Sequence, residues 1–371
     1  MRIVILTLAA ISLVATASSL LPAPNRFLLP LTVGVPELSA WLFVGNLLAL
    51  LLAYFYFPKT LVIFAAGLAV ASWPLLQIDQ AEAAVARQWQ EHRFSDSPFQ
   101  ILGAARVYAR SLLDAASGDI QPEILPQQIH LYRSTQAGEL HPVIIDIYGG
   151  AWQRGSPSDD HVFASYMATR GYAVFAIDYR HAPQAKNPAQ IDDVRQAMEW
   201  IYANAKQYGG DPSRIVLCGR SAGGQLALLA AYTSTNVPVS AVISFYGPPD
   251  LRAGYEDPPR PDPLDVRDVL ETYLGGSPSQ VPNSYRDASP AKRVQAKSVP
   301  TLQLQGARDH IVKARFAREL HEKLLSTGTP SLLLELPWSE HSFDAVFSGI
   351  GNVVALNCVE QFLNQTLSGK P

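Results

Sequence analysis

The residues best suited to chemistry in this sequence are a serine, an aspartate and a histidine set far apart: Ser221, Asp309 and His341. A hydroxyl becomes a strong nucleophile when a base takes its proton, and an imidazole is the better base when a carboxylate fixes its tautomer. Ser221 sits in Gly219-Arg220-Ser221-Ala222-Gly223-Gly224, behind the apolar run Ile215-Val216-Leu217-Cys218 and ahead of the Ala/Leu-rich stretch 225–231. That is strand, sharp turn and helix around G-x-S-x-G, a nucleophile elbow. Gly219 and Gly223 leave room for a strained serine, and the helix start offers unpaired N–H groups beside it.

The two partners occupy matching places. Asp309 ends Gly306-Ala307-Arg308-Asp309 after the apolar run 301–305, and His341 ends Pro337-Trp338-Ser339-Glu340-His341 after the run 332–336. Each group therefore follows a strand, in the order Ser, Asp, His. The competitors have weaker positions. Asp250 follows the run 239–246 and is the rival acid, while His310 adjoins Asp309 in a loop where neighbours point apart. His92, His130, His141, His161, His181 and His321 follow no late strand and read as surface or structural groups, and Glu340 is either solvated or touches substrate.

Elements that can bring these loops to one edge are legible from Ile129 onward. Strands at 129–133, 143–148, 173–178 and 239–246 alternate with helices at 158–169 and 188–208, the pattern of a mostly parallel sheet covered on both faces. A Pro-rich insertion at about 250–300, with a helix at 264–274, suits a small cap over the site. The strand at 143–148 runs into Tyr148-Gly149-Gly150-Ala151-Trp152, where paired glycines let backbone N–H groups approach a ligand.

From about Ile129 onward the chain resembles the α/β-hydrolase carboxylesterases, including the hormone-sensitive-lipase-like group. It is closest in texture to the feruloyl-esterase-like branch BD-FAE and to the membrane-anchored prenylcysteine methylesterases. Tyr148-Gly149-Gly150-Ala151-Trp152 answers to the family's His-Gly-Gly-x-Trp, Asp178-Tyr179-Arg180-His181-Ala182-Pro183 to its Asp-Tyr-Arg-x-Ala-Pro, and Ser289-Pro290 follows the cap. The resemblance implies ester hydrolysis through an acyl-enzyme on Ser221, with backbone N–H groups of Gly150, Ala151 and Ala222 as the oxyanion hole. Trp152 and Tyr179 are expected against a small-molecule ester with a short to medium acyl or lipid-like group, and no cofactor or metal is implied. Tyr148 replaces the family's usual His, which braces the oxyanion loop, so the loop's shape and substrate range are where a difference is expected.

Composition bounds the remaining readings. Of 371 residues 48% are hydrophobic and 16% charged, below the roughly 25% charged of soluble domains. The net charge is −3 and no Lys/Arg cluster is interleaved with aromatics, which argues against nucleic acid as a partner. Cys218 and Cys358 are too few for a disulfide framework or a zinc site.

The charge deficit is concentrated before Asp79, where only Arg2, Arg26, Glu37 and Lys59 are charged. Apolar stretches at 3–21, 38–57 and 61–78 are each long enough to cross a bilayer, with Trp41, Tyr54, Tyr56 and Trp73 near their ends. Pro22, Pro24, Pro30 and Pro36 break the first connection, and Pro58-Lys59-Thr60 makes a tight second one. The first stretch reads either as a span or as a cleaved signal peptide, with Ala15-Thr16-Ala17 as the site. Both readings leave residues 1–78 as membrane segments, 79–118 as a helical linker and 119–371 as an extracytoplasmic catalytic domain. Arg26, Arg87 and Arg93 outside run against the positive-inside tendency. A serine peptidase or acyltransferase on the same fold, and a membrane-tethered scaffold without catalysis, are the alternatives.

Overall fold

A computed structural model describes residues 2–92, 94, 98–113, 119–234, 236–296 and 298–368; Arg93 and Gly118, the end of the expected linker, lie outside the described residues. Six helices come first: α1 (Arg2–Leu20), α2 (Leu29–Glu37), α3 (Ser39–Tyr56), α4 (Leu61–Ser72), α5 (Leu75–Glu91) and α6 (Ala104–Leu113). The sheet region follows as β1 (Glu123–Ile124), β2 (His130–Tyr132), β3 (His141–Ile147), α7 (His161–Thr169), β4 (Ala173–Ile177), α8 (Ala189–Asn204), β5 (Gly210–Arg220), α9 (Ala222–Thr233) and β6 (Val239–Phe245). Three short helices, α10 (Leu251–Glu256), α11 (Val266–Leu274) and α12 (Pro282–Ala288), then precede β7 (Thr301–Gly306), α13 (Ala314–Ser326), β8 (Ser331–Leu336) and α14 (Ile350–Ser368).

The eight strands run in the order β1-β2-β4-β3-β5-β6-β7-β8, parallel from β4 to β8, with β2 antiparallel to both β1 and β4. Side chains alternate strictly along the central strands. Ile144, Val216 and Cys218 face the core shared with α5, α6, α7 and α14, whereas Ile145, Ile147, Ile215 and Leu217 face the core shared with α8, α9 and α13. Burial on both faces is why these strands read as unbroken apolar runs. All the carboxyl ends from β3 to β8 share one edge, which fixes where the loops meet.

Two N-terminal expectations change. The proline-rich connection is helical: Pro30 lies in the first turn of α2, where its missing N–H costs nothing, and Pro36 is near its end. The third apolar stretch is divided before Ile78. Its regular hydrogen bonding is interrupted at Trp73-Pro74, both still in the right-handed helical region, between α4 and amphipathic α5, whose Ile78, Ala81, Val85 and Trp89 are buried in the sheet domain's core. Gln88 of α5 donates to the Leu333 carbonyl at 3.0 Å and accepts its N–H at 2.8 Å, occupying backbone groups of edge strand β8.

Helices α1, α3 and α4 pack together through small and polar residues. Ser12 donates to Asn46 at 2.6 Å, and a Cβ on Gly67 would come within 2.4 Å of the Ser12 hydroxyl. Three helical stretches, Arg2–Leu20, Ser39–Tyr56 and Pro58–Glu91, are long and apolar enough to cross a membrane. Between β6 and β7 the Pro-rich insertion is more helical than its composition indicates. Asp250 and Asp265 cap α10 and α11 by accepting the Ala253 and Asp268 N–H groups, and Gly275 ends α11 in a left-handed turn.

Candidate active site

Ser221 lies where β5 turns into α9, with φ +51° and ψ −118°, a conformation that L-residues rarely adopt. The surrounding glycines explain how the chain turns there. A Cβ on Gly219 would lie 2.3 Å from the Gly223 carbonyl, and one on Gly223 would lie 2.0 Å from the Ile147 carbonyl. The elbow's own close backbone approach at Gly219 and its packing against β3 at Gly223 admit only glycine at both places.

The three expected side chains meet. His341 Nε2 is 2.9 Å from Ser221 Oγ, and His341 Nδ1 is 2.8 Å from Asp309 Oδ2. Asp309 is fixed from every side: its Oδ1 accepts the Ile311 and Val312 N–H groups at 2.8 and 2.7 Å, and its Oδ2 also accepts from Gln305 at 2.8 Å. Such a carboxylate can hold only one imidazole tautomer, with the proton on Nδ1 and Nε2 free to accept from Ser221. Asp250, the rival acid, is committed elsewhere, to the α10 cap and to Lys292 at 2.7 Å. His310 turns away from Asp309 and pairs with Glu340 at 2.5 Å, and that contact raises its pKa.

The Gly-Gly loop lies directly over the elbow. A Cβ on Gly149 would touch the Arg220 carbonyl at 3.0 Å and the Ser221 Cβ at 3.2 Å. Gly150, Ala151 and Trp152 all have positive φ, +123°, +56° and +59°, so the loop holds a tight, unusual course across the mouth of the site. Tyr148 holds the start of this loop, where the resemblance led to the expectation of a histidine. Its hydroxyl donates to Asp178 at 2.5 Å and lies 2.8 Å from His181 Nε2, while its ring stacks on Tyr179 at 4.5 Å. Burial and the Asp178 carboxylate both push the Tyr148 pKa up, so the phenol stays a donor. Gly155 makes room for the larger ring, since a Cβ there would fall 2.4 Å from it.

The two aromatics expected against substrate part company. Trp152 lines the cavity with one face, stacks on Tyr273 at 4.2 Å and donates to Gln225 at 2.9 Å. Tyr179 is buried beneath Tyr148, donates to its carbonyl at 3.1 Å and does not line the cavity. It is a support for the loop, because Asp-Tyr-Arg follows β4 on the sheet side of the Gly-Gly turn. Gln225 also donates to the Ala288 carbonyl at 2.7 Å, joining the loop, the elbow helix and the cap.

Several neighbours carried no sequence signal of their own. Tyr246 presents its ring 4.5 Å from the His341 ring and donates its hydroxyl to Asp344. Buried Arg220, beside Ser221, pairs with Asp344 at 2.6 Å, Asp146 at 3.0 Å and Asp160 at 3.3 Å. Burial pushes the pKa of both Asp146 and Asp160 up against the pull of that guanidinium. The cavity in front of Ser221 and His341 has a volume of about 580 Å³. Its cap side is apolar, with Leu251, Leu264, Val266, Val269 and Leu270, and Leu29 of α2 also reaches its wall. Among the described residues no group of His, Cys, Asp and Glu is arranged to hold a metal ion.

Residues 129–324, just over half of the chain, match the BD-FAE family. This chain belongs to the BD-FAE family. Among relatives of this BD-FAE protein, esterase LipC of Mycobacterium tuberculosis is 34% identical over 239 residues, 60% of this chain and 58% of that one. A probable isoprenylcysteine alpha-carbonyl methylesterase of rice (Oryza sativa subsp. japonica), ICMEL1, is 37% identical over 100 residues, 27% of this chain and 24% of that one. The chain spans little more than half the length of LipC and of two further Mycobacterium tuberculosis relatives, LipM and LipQ. The solved esterase Est2 of Thermogutta terrifontis superposes with a TM-score of 0.54 at 23% identity, covering 66% of this chain and 92% of that one. Together they make the BD-FAE domain an α/β-hydrolase fold.

Proposed function

We propose that this chain is a membrane-anchored serine carboxylesterase. The observation that carries the reading is the hydrogen-bonded series from Ser221 through His341 to Asp309, seated on a strained elbow. In the proposed reaction Ser221 Oγ attacks the ester carbonyl carbon while His341 Nε2 takes its proton. Asp309 stabilises the resulting imidazolium without taking the proton itself. The oxyanion accepts from the backbone N–H groups of Gly150, Ala151 and Ala222, each such donor being worth about 3 to 4 kcal/mol of barrier. His341 then protonates the departing alkoxide, leaving an acyl-Ser221. Water, deprotonated by the same imidazole, releases the acid and restores the hydroxyl.

Esters with apolar acyl groups of short to medium length, or lipid-like esters, suit the apolar cap side of the cavity and Trp152. Turnover of p-nitrophenyl esters from acetate to palmitate tests this. A preference at or beyond butyrate is expected, and strict acetate preference removes the lipid-like reading. Loss of all turnover in Ser221→Ala is expected; undiminished turnover in that variant overturns the esterase assignment itself.

The membrane half of the reading rests on the three apolar helices. Arg2 at the start of α1 lies 5.1 Å from the Phe57 ring at the α3–α4 turn, so these ends share one side. The opposite ends meet the linker and the sheet domain, where Tyr108 of α6 donates to the Ala71 carbonyl at 2.7 Å and Arg308 to the Ser19 carbonyl. Three passes would then leave residues 119–371 across the bilayer from Met1, on the extracytoplasmic side given the signal-like start. The packing of α1 against α3 and α4 favours a retained first span over a cleaved one. Proteolysis of sealed vesicles of known sidedness tests the orientation, and sequencing of the mature amino terminus tests retention.

A further inference from the structure

Glu37 is the sole acidic residue among the first 78 in the sequence, and it ends α2, between two long apolar helices. It is fully buried. An acid kept in such surroundings is costly unless its oxygens are used. Both are used, on residues some 300 positions away. Ser339 Oγ donates to Glu37 Oε1 at 2.6 Å, and the Gly351 N–H donates to Oε2 at 2.6 Å. The receiving surface is open only because it lacks side chains. A Cβ on Gly349 would lie 2.8 Å from Glu37 Cβ, and one on Gly351 would lie 2.7 Å from both Glu37 Oε2 and Ser339 Oγ.

Ser339 precedes His341 by two residues and holds more than its own loop. Its carbonyl accepts the Arg308 N–H at 3.1 Å, next to Asp309, and its N–H donates to the Leu336 carbonyl at 3.2 Å. One residue thus ties the acid-bearing loop to the histidine-bearing loop. Arg308 in turn donates its guanidinium to the Ser19 carbonyl in α1, and Leu29 at the other end of α2 reaches the cavity wall.

We propose that Glu37 is a positioning residue: by holding Ser339 and Gly351 it sets the His341 loop at its working distance from Ser221. The N-terminal helices are then a working part of the active site as well as an anchor. This inference rests on the serine hydrolase reading. Glutamine fits the same contacts, since its carbonyl accepts from Gly351 and its amide donates to the Ser339 hydroxyl, which can reverse its role. Alanine leaves both partners unmet.

The test uses the full-length chain in detergent, with a short p-nitrophenyl ester and a fluorophosphonate probe. Glu37→Ala is expected to lower kcat and the rate of Ser221 modification together by about 10- to 100-fold, as loosening of a positioned group does. KM should stay within about twofold, and Glu37→Gln should keep kcat within about threefold of wild type. Should Glu37→Ala give no cooperative unfolding transition, Ser339→Ala replaces it, with a smaller loss of kcat expected because Glu37 keeps Gly351. A folded Glu37→Ala, or in its place Ser339→Ala, with wild-type kcat overturns the proposal, as does a loss confined to KM or a Glu37→Gln as slow as Glu37→Ala. Absence of probe on Ser221 in the wild type is a different result: it removes the hydrolase reading, and this inference falls with it.

Discussion

The carboxyl edge of the sheet and the N-terminal helices are both rich in apolar sequence, yet they disclose themselves differently. At the sheet edge each reactive group follows a strand, so a short motif fixes both the backbone and the side chain: Gly219 and Gly223 fit only the elbow that lifts Ser221. In the N-terminal helices composition fixes only where a helix is apolar. What those helices do is decided by single polar residues, such as Ser12 on Asn46 and Glu37 on Ser339, whose partners lie 34 and 302 positions away. Motif chemistry is local in sequence, whereas the anchoring of one region to the other is not.

On that contrast, changes at the sheet edge remove catalysis while sparing the fold, and changes in the helix bundle away from Glu37 do the reverse. His341→Ala should lower kcat by at least about 10⁴-fold, and Asp309→Asn by about 10³- to 10⁴-fold, with unfolding temperature little changed. Steady-state kinetics on a short ester checks both, and a loss under tenfold in either would break the comparison from the catalytic side.

Glu37 supplies the next largest effect, read as stability against pH. Burial raises its carboxyl pKa from the usual 4.5 to about 7, so the folded chain holds this proton more tightly than the unfolded chain. Its stabilising contribution is complete below about pH 4.5 and is lost as pH rises through about 7. Between pH 4.5 and 8 the wild type should therefore lose roughly 3 kcal/mol relative to Glu37→Gln, which has no proton to lose. Parallel pH–stability curves for the two proteins would contradict this.

Gly67→Val comes next. A Cβ there meets the Ser12 hydroxyl and, at 2.5 Å, Asn46 Oδ1, so overpacking by about 2 kcal/mol is expected in detergent unfolding with kcat retained. Loss of kcat without loss of stability would place the helix bundle on the catalytic side of the comparison. The smallest effect is expected of Tyr148→Phe, which removes the hydroxyl shared by Asp178 and His181. It should slow turnover by about tenfold, or 1.4 kcal/mol, through a slacker Gly-Gly loop.

The same contrast explains what is legible in the amino-acid sequence. Ser221, Asp309, His341 and the parallel sheet were legible because strand, turn and helix each have a short-range signature. Tyr179 was legible as an aromatic after a strand but not as a loop support, since spacing does not say which way a ring turns once Tyr148 stacks on it. The third apolar stretch was legible as a helix long enough to span, but hydropathy does not register that its far end, from Ile78 to Trp89, packs into the sheet domain. Gln305, Gln225 and Glu37 left no pattern, because each acts through partners that only the fold brings near.

The central claim is that one hydroxyl, made nucleophilic by the imidazole it touches, carries the acyl group. Fluorophosphonate treatment of the full-length protein followed by peptide mass mapping tests it most directly. A single adduct is expected on the peptide containing Ser221, absent in Ser221→Ala and formed far more slowly in His341→Ala. An adduct on another residue, or equal labelling of the His341→Ala protein, would contradict it.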